Sequence, residues 1–302
     1  MGLFSKNIVE QDVKINNLIV SLITPMNEDY TIDEIGYKAL IAKLMNKGVR
    51  NFLILDNTND LNKYDLHGEK QLIKFASNNI GKKGNLIIGC FSNSTDEIIE
   101  KIKHAEKFSK IVAINIPQSA LTNDISFMDF FDKLFTKTKK NIIIINDPKS
   151  SGKNIPVEGL NLIANWERLI GVIDYSQDLN YFHTLSQFHQ CFNIYQGYEK
   201  LATDSYSYYC SGIVSSLANL TPSYFFSLKE DIEFSNNLTI QKKQEAINNL
   251  IDSCSINNKK IQSYKYLLYK NGLIQPYYSK ELPILTEEEI STLDELIKKI
   301  LV

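Results

Sequence analysis

The sequence predicts a single α/β unit: a closed (β/α)8 TIM barrel with a C-terminal helical extension. Three observations lead there. Short β-branched runs recur eight times with helical patterns between them. Most of these runs are continuously apolar, as strands buried on both faces of a parallel sheet are. After the eighth run the pattern turns wholly helical. Eight β/α alternations over this length of chain favour a closed barrel over an open doubly wound sheet.

Taken in order, the strands are expected at residues 17–24, 50–56, 85–90, 110–116, 141–147, 169–174, 192–197 and 212–217. The segments between them read as amphipathic crossover helices. In "STDEIIEKIKHAEKF", Ser94 and Glu97 have capping-box spacing, and Ile98, Ile102, Ala105 and Phe108 fall on one helix face. The tail reads as helices at 222–232, 239–256, 258–271 and 286–300, the last opened by the capping-box sequence "TEEE" at Thr286. No Gly/Ser/Pro-rich linker separates the tail from the rest. The expected organisation is therefore a barrel over residues 1–220 with helices of 221–302 packed on it as one structural unit.

The 302 residues, 43% hydrophobic and 23% charged, are enough for a large core. Thirty-three basic against 35 acidic residues give a formal charge of −2, with no basic tail. Long-range attraction to nucleic acid or to an anionic membrane is not indicated, so neither is expected as a partner. The opening "MGLFSKNIVEQD" lacks the apolar stretch of a signal peptide, and no run reaches membrane-span length, which makes the cytoplasm the expected location. Cys90, Cys191, Cys210 and Cys254 form no CxxC pair and are expected to be reduced packing residues. His67, His104, His183 and His189 show no HExxH spacing and read as helix-surface or core histidines. No metal and no cofactor is expected.

Chemistry in such a barrel sits at the C-terminal strand ends and the loops after them. Those ends read "SLITPMNEDYTID", "LDNTND", "GCFSNSTDE", "INDPKSSG", "VIDYSQD" and "GIVSSLAN". Together, in order and spacing, they resemble the dihydrodipicolinate synthase / N-acetylneuraminate lyase family of pyruvate-dependent class I aldolases. Thr24-Pro25 matches the Thr-Pro that closes strand one, Gly89 to Thr95 matches the G-x-x-S-N-S-T-like turn, and "LPILTEEE" matches the C-terminal pattern. The resemblance runs from about Asn17 to the end of the chain.

What the resemblance implies is a Schiff base between pyruvate and a lysine in a G-[IV]-K-[DE] motif on strand six. Here that motif reads Gly171-Val172-Ile173-Asp174, with Ile173 at the lysine position. The proton-relaying tyrosine of the Y-N-x-P motif falls on Ile145, ahead of Asn146-Asp147-Pro148. The spacing of 28 residues between the two positions, 145 to 173, is kept. The G-T-T-G-E turn reads Asp56-Asn57-Thr58-Asn59-Asp60, retaining only the second threonine, Thr58. The carboxylate-binding arginine of the synthase branch falls on Ser150, and the tyrosine pair after strand four on Gln118-Ser119.

An imine needs an amine that is neutral when it attacks, and a relay needs a titratable or hydroxyl group; isoleucine supplies neither. The family's catalytic positions are thus occupied by Ile173, Ile145, Asn57 and Ser119, and no catalytic residue is assigned. Three readings stay open: a catalytically inactive homologue that binds a ligand or regulates, a lyase/aldolase with relocated chemistry, and a structural protein with a filled barrel mouth. For relocated chemistry the alternative amine is Lys149, with Lys153 further along the same loop. Pocket candidates are Thr24, Asp56, Asn57, Thr58, Ile145, Asp147, Ile173, Tyr175, Tyr198 and Val214. Extra carboxylates at Asp56 and Asp147, beside Asp174 and Glu199, would repel a 2-oxo acid and suit a small neutral or cationic ligand, unless they face solvent or cap the next helix. The resemblance also implies a homo-oligomer, a dimer or tetramer.

Overall fold

The computed structural model describes residues 15, 17–56 and 66–300. Eight parallel strands close into a barrel in sequential order, β1 pairing with both β2 and β8. They are β1 Asn17–Ser21, β2 Asn51–Ile54, β3 Asn85–Gly89, β4 Ile111–Asn115, β5 Asn141–Asn146, β6 Leu169–Asp174, β7 Asn193–Gln196 and β8 Gly212–Ser215. Most are shorter than the apolar runs that signal them. Leu22 and Ile23 after β1 and Leu217 after β8 lie beyond the strand ends and are apolar because they are buried in the outer core.

The helices around and beyond the barrel are α1 Glu34–Asn46, α2 Leu66–Ile80, α3 Thr95–Ala105, α4 Asp124–Lys137, α5 Pro148–Ser151, α6 Val157–Ile163, α7 Leu179–Leu185, α8 Ala202–Tyr206, α9 Pro222–Glu233, α10 Asn237–Cys254, α11 Lys260–Lys270 and α12 Glu287–Ile300. One correction concerns α3. Ser94 is its N-cap residue, but its side chain makes no capping bond. Ser92 meets Glu97 instead: its hydroxyl donates to Glu97 and accepts from the Ser94 N–H at 3.1 Å.

Alternation along the strands divides the apolar residues into two cores. One faces outward, between sheet and helices, and extends under the C-terminal helices to Cys254, Leu267 and Leu293. The other fills the barrel: Ile15, Ile19, Leu53, Ile87, Ile111, Ala113, Ile143, Ile145, Ile170, Ile173, Tyr195 and Val214. Between β5 and β6 the pairing slips by one residue. Ile142 faces Leu169 while Ile143 faces Gly171, so Ile170 is left over. Both Ile170 and Gly171 then turn inward, as the two residues of a bulge do. Gly171 is needed there, because a Cβ would lie 2.9 Å from the Tyr195 ring.

The tail is fastened by a buried polar knot. Glu289 closes the capping box of α12, accepting from the Thr286 N–H at 2.7 Å while Thr286 Oγ1 accepts from the Glu289 N–H at 3.3 Å. The same carboxylate meets Lys259 Nζ at 2.8 Å and accepts from Asn257 Nδ2 at 2.8 Å. Lys259 also donates to the Ile284 carbonyl. The Lys259 ammonium, then Asn257 and the Thr286 N–H, pull the Glu289 carboxyl from 4.5 down to about 2. A carboxyl depressed by folding stabilises the fold above its unfolded value and loses that contribution as pH falls through the folded one. The knot is therefore complete above about pH 4.5 and spent near pH 2. Glu289→Gln should lower the thermal midpoint at neutral pH and flatten its fall across that window; an unaltered pH profile by circular dichroism would refute this.

Candidate active site

The site region is built on β5 and β6. Ile145 stands directly opposite Ile173 in the parallel ladder, and Asn146 opposite Asp174. With side chains alternating across a sheet, both isoleucines point into the barrel, as the sequence predicts. Ile173 has no exposed surface, and Ile145 is buried at the floor of the mouth.

Asn146 and Asp174 consequently point outward, away from the mouth. Asp174 Oδ1 accepts from Asn146 Nδ2 at 2.7 Å and from the Ser176 N–H at 3.1 Å, and Oδ2 accepts from Ser176 Oγ at 2.8 Å. Burial raises its carboxyl to about 6 in spite of those bonds. Asn146 also joins Asn154 and the Ile155 N–H, so this pair holds the β5 loop to the β6 loop.

Two chambers open at the C-terminal mouth. The smaller, about 180 Å³, is lined by Asp56, Ile145, Asp147, Lys149, Tyr175, Gln177 and Tyr198. The larger, about 580 Å³, adjoins it across Asp56, Ile145 and Asp147, and is walled further by Phe91, Asn115 and Ser150 among others. The structure thus gathers Asp56, Ile145, Asp147, Tyr175 and Tyr198 of the candidates, together with Lys149. Ile173 and Val214 lie beneath, filling the barrel, and line neither chamber. Thr24 is buried, its hydroxyl without a hydrogen-bond partner, and is not part of either wall. Ser119 is exposed, its carbonyl accepting from the Thr122 hydroxyl, and lies outside both chambers, whereas its neighbour Gln118 lines the larger. Asn57 and Thr58 lie outside the described residues.

The four acids separate into distinct roles. Asp56 is buried at the end of β2 and accepts from Ser21 Oγ at 2.5 Å. Asp147 lines the mouth but also caps α5, accepting from the Lys149 N–H at 3.2 Å and from Ser150 Oγ at 2.6 Å. Glu199 is tied to the β8 loop through Ser215 Oγ and the Ser216 and Leu217 N–H groups, with Lys260 Nζ at 3.3 Å. Only Asp56 and Asp147 therefore front the cavity; grouping Asp174 and Glu199 with them is corrected by where the strand alternation and the loop bonds aim them. Lys149 is exposed at the outer edge of the smaller chamber.

Tyr175, one of the sequence candidates, is seated by the backbone and by a glycine. It follows β6 directly, its N–H donating to the Asn146 carbonyl at 2.8 Å, and packs onto the interior cluster above Ile173. Gly197 makes room for it: a Cβ there would lie 2.4 Å from the Tyr175 ring. Burial first, then the carboxylates of Asp56, Glu199 and Asp147, hold the phenol well above its usual range, so it remains protonated. Gln177, Phe91 and Asn115 escaped sequence reading. Phe91 caps the barrel interior, and Asn115 clamps the loop after β3 by bonding both the N–H and the carbonyl of Ser92. An outward-to-inward count along β3 and β4 would have found both.

Among the described residues no group of three or more His, Cys, Asp or Glu stands close enough to hold a metal ion, and none of their helices is long and apolar enough to cross a membrane. The four cysteines carry free thiols. As a test of the Tyr175 seat, Gly197→Ala should displace the ring and destabilise the protein by about 1–3 kcal/mol, as overpacking does. Tyr175→Ala placed in that background should recover part of the loss; additive losses in denaturant unfolding would exclude the clash.

Comparison with known proteins agrees with this architecture. The Dihydrodipicolinate synthetase family matches residues 14–300. A 4-hydroxy-tetrahydrodipicolinate synthase of Methanothermobacter thermautotrophicus is 24% identical over 216 residues, covering 70% of this chain and 76% of that protein. An uncharacterized DapA-like lyase of Thermoplasma acidophilum is 25% identical over 288 residues, 94% of this chain and 97% of its own length. The solved N-acetylneuraminate lyase from Fusobacterium nucleatum superposes with a TM-score of 0.87 at 21% identity, over 94% of this chain and 98% of that one, a likeness of fold. With a family match over nearly the whole chain, and with its barrel and C-terminal helices in place, this protein belongs to the dihydrodipicolinate synthetase family.

Proposed function

We propose that this chain is a catalytically inactive homologue of dihydrodipicolinate synthase and N-acetylneuraminate lyase, working in the cytoplasm as a small-molecule-binding or regulatory protein. The observation that carries this reading is Ile173, fully buried opposite Ile145 in the β5–β6 ladder, at the position the resemblance gives to the imine-forming lysine. A hydrocarbon there cannot attack a carbonyl, and its neighbour cannot relay a proton. The chambers above still leave room for a small ligand, and Asp56 and Asp147 in their walls favour a neutral or cationic one over a 2-oxo acid. The second reading is a lyase or aldolase of the same family with relocated chemistry. It draws on Lys149, which lines the smaller chamber with the Tyr175 phenol. Lys149 is exposed on α5, at the outer edge of that chamber.

Pyruvate with borohydride separates the two. The inactive reading expects an unchanged intact mass by mass spectrometry; a reduced adduct at Lys149 would favour relocated chemistry. Ile173→Lys alone should gain little turnover, because the amine would still lack a tyrosine at Ile145 and a threonine at Asn57, and groups that act as a unit do not contribute additively. Condensation or cleavage of 2-oxo acids by the unaltered chain at enzymatic rates would defeat the proposal.

We also propose a homo-oligomer, a dimer or tetramer, through the segment after β4. Gln118 and Ser119 are exposed there, and Ile125, at the start of α4, is 76% exposed, an apolar surface suited to burial against a second copy. Light scattering across a wide concentration range should give at least twice the mass of one chain, and Ile125→Asp should shift it towards the single-chain value.

A further inference from the structure

A cleft of about 730 Å³ lies outside the barrel, between α2 and α3. It adjoins the larger mouth chamber across Leu55, Glu69, Gly89 and Lys101, and shares no wall residue with the smaller one. Its floor is hydrocarbon and thiol: Leu55 after β2, Ile73 from α2, and Ile88 and Cys90 at the end of β3. Ile73, Ile88 and Cys90 belong to the outer core, between sheet and helices. The volume falls within the range of small-molecule sites, and an apolar floor with a few polar groups is their usual composition.

The rim carries four acids and four lysines, and they are not all paired with one another. Each acid in the wall already has a partner: Glu69 with Lys101 at 3.1 Å, Glu100 with Lys103 at 2.7 Å, Asp96 with Lys133 at 2.7 Å, and Glu97 with the Ser92 hydroxyl. Of the cations, Lys70 on α2 and Lys107 just past α3 have no ion-pair partner among the described residues. Between them stands His104. Its Nε2 is buried without a hydrogen-bond partner. Burial first, then the charges of Lys70 and Lys107, hold its imidazole below the usual value. Two uncompensated cations bearing on a buried, unpartnered ring nitrogen form an electrostatic setting complementary to an anion.

The geometry points to a binding site for a small amphipathic anion, a medium-chain carboxylate whose tail lies on Leu55, Ile73, Ile88 and Cys90 and whose head is taken by Lys70, Lys107 and His104. The site borders the larger mouth chamber through Leu55, Glu69, Gly89 and Lys101, but its head-group residues Lys70, Lys107 and His104 line neither chamber. The carboxylate would accept from the lysine ammoniums and from the ring nitrogen, while Glu69, Glu100 and Asp96 stay with their own cations and Glu97 with the Ser92 hydroxyl. A short carboxylate would have the head group but little of the floor.

The test is titration of the full-length chain with octanoate, followed by calorimetry and by the ring resonances of His104. Saturable binding is expected, with those resonances moving and the apparent imidazole pKa rising as the negative head arrives. Octyltrimethylammonium and butyrate should each bind at least about tenfold more weakly. Lys70→Gln with Lys107→Gln, both at exposed positions, should weaken octanoate about tenfold and leave thermal unfolding unchanged. Equal affinity for octanoate and octyltrimethylammonium, indifference to the double substitution, or still ring resonances at millimolar octanoate would each overturn the proposal.

Discussion

A closed eight-stranded barrel has to fill its own interior with side chains from its strands, and here that filling is hydrocarbon up to the mouth. Ile143, Ile145, Ile170 and Ile173 from β5 and β6 meet Tyr195 and Val214 from β7 and β8. The single polar atom the Tyr195 ring brings in is satisfied at the lower end, where its hydroxyl donates to the Ile15 carbonyl at 2.9 Å. Polar groups near the strand ends are therefore either sent to the outer face of the sheet or raised to the rim. Most buried polar atoms are bonded wherever they go. Asp174 finds Asn146 and Ser176, Glu199 finds Ser215 and Lys260, and Asp56 finds Ser21.

That distribution decides what the mouth can do. The wall offers two carboxylates, two phenols, an amide and an exposed amine around an isoleucine floor. It can accept from a donor or pack against an apolar group. The Tyr175 phenol, surrounded by the fields of Asp56, Glu199 and Asp147, can donate but does not give up its proton at neutral pH. A relay of protons would need a group that changes state within reach of a substrate. Asp174 is a carboxyl lifted into that range, at about 6, and it lies on the far side of the sheet, enclosed by Asn146 and Ser176.

Much of this was legible in the sequence because burial leaves a pattern. Both-face burial made the eight runs continuous in apolar residues, so the number and order of strands could be read, and the pairing of Ile145 with Ile173 followed from strand adjacency and spacing. The capping box at Thr286 was legible for the same reason: it is a local device. What was hidden depends on direction and distance. Ser94 and Glu97 have capping-box spacing on paper, yet the backbone path brings Glu97 to the Ser92 hydroxyl. Four acids near one rim look alike in sequence, yet odd and even strand positions send Asp174 out, while a web of loop donors claims Glu199. Gln177 reaches the mouth from a left-handed backbone position, φ 62°, which no periodicity marks. The buried pairing of Lys259 with Glu289 joins residues thirty apart in helices that sequence reading treats separately.

The unpaired Ile170 in β6 acts as a frame-setter for everything above it. Because side chains alternate with a period of two, one additional residue in one strand inverts the facing of all that follow. Counted from Leu169, which faces outward, an uninterrupted strand would turn Val172 and Asp174 into the barrel and Ile173 out towards the helices. The interior would then carry a carboxylate above the level of Tyr195 and Ile145, at the mouth, and the outer knot with Asn146 would lose its acceptor. A single leftover residue, buried and without chemistry of its own, thus sets the polarity of the whole upper barrel.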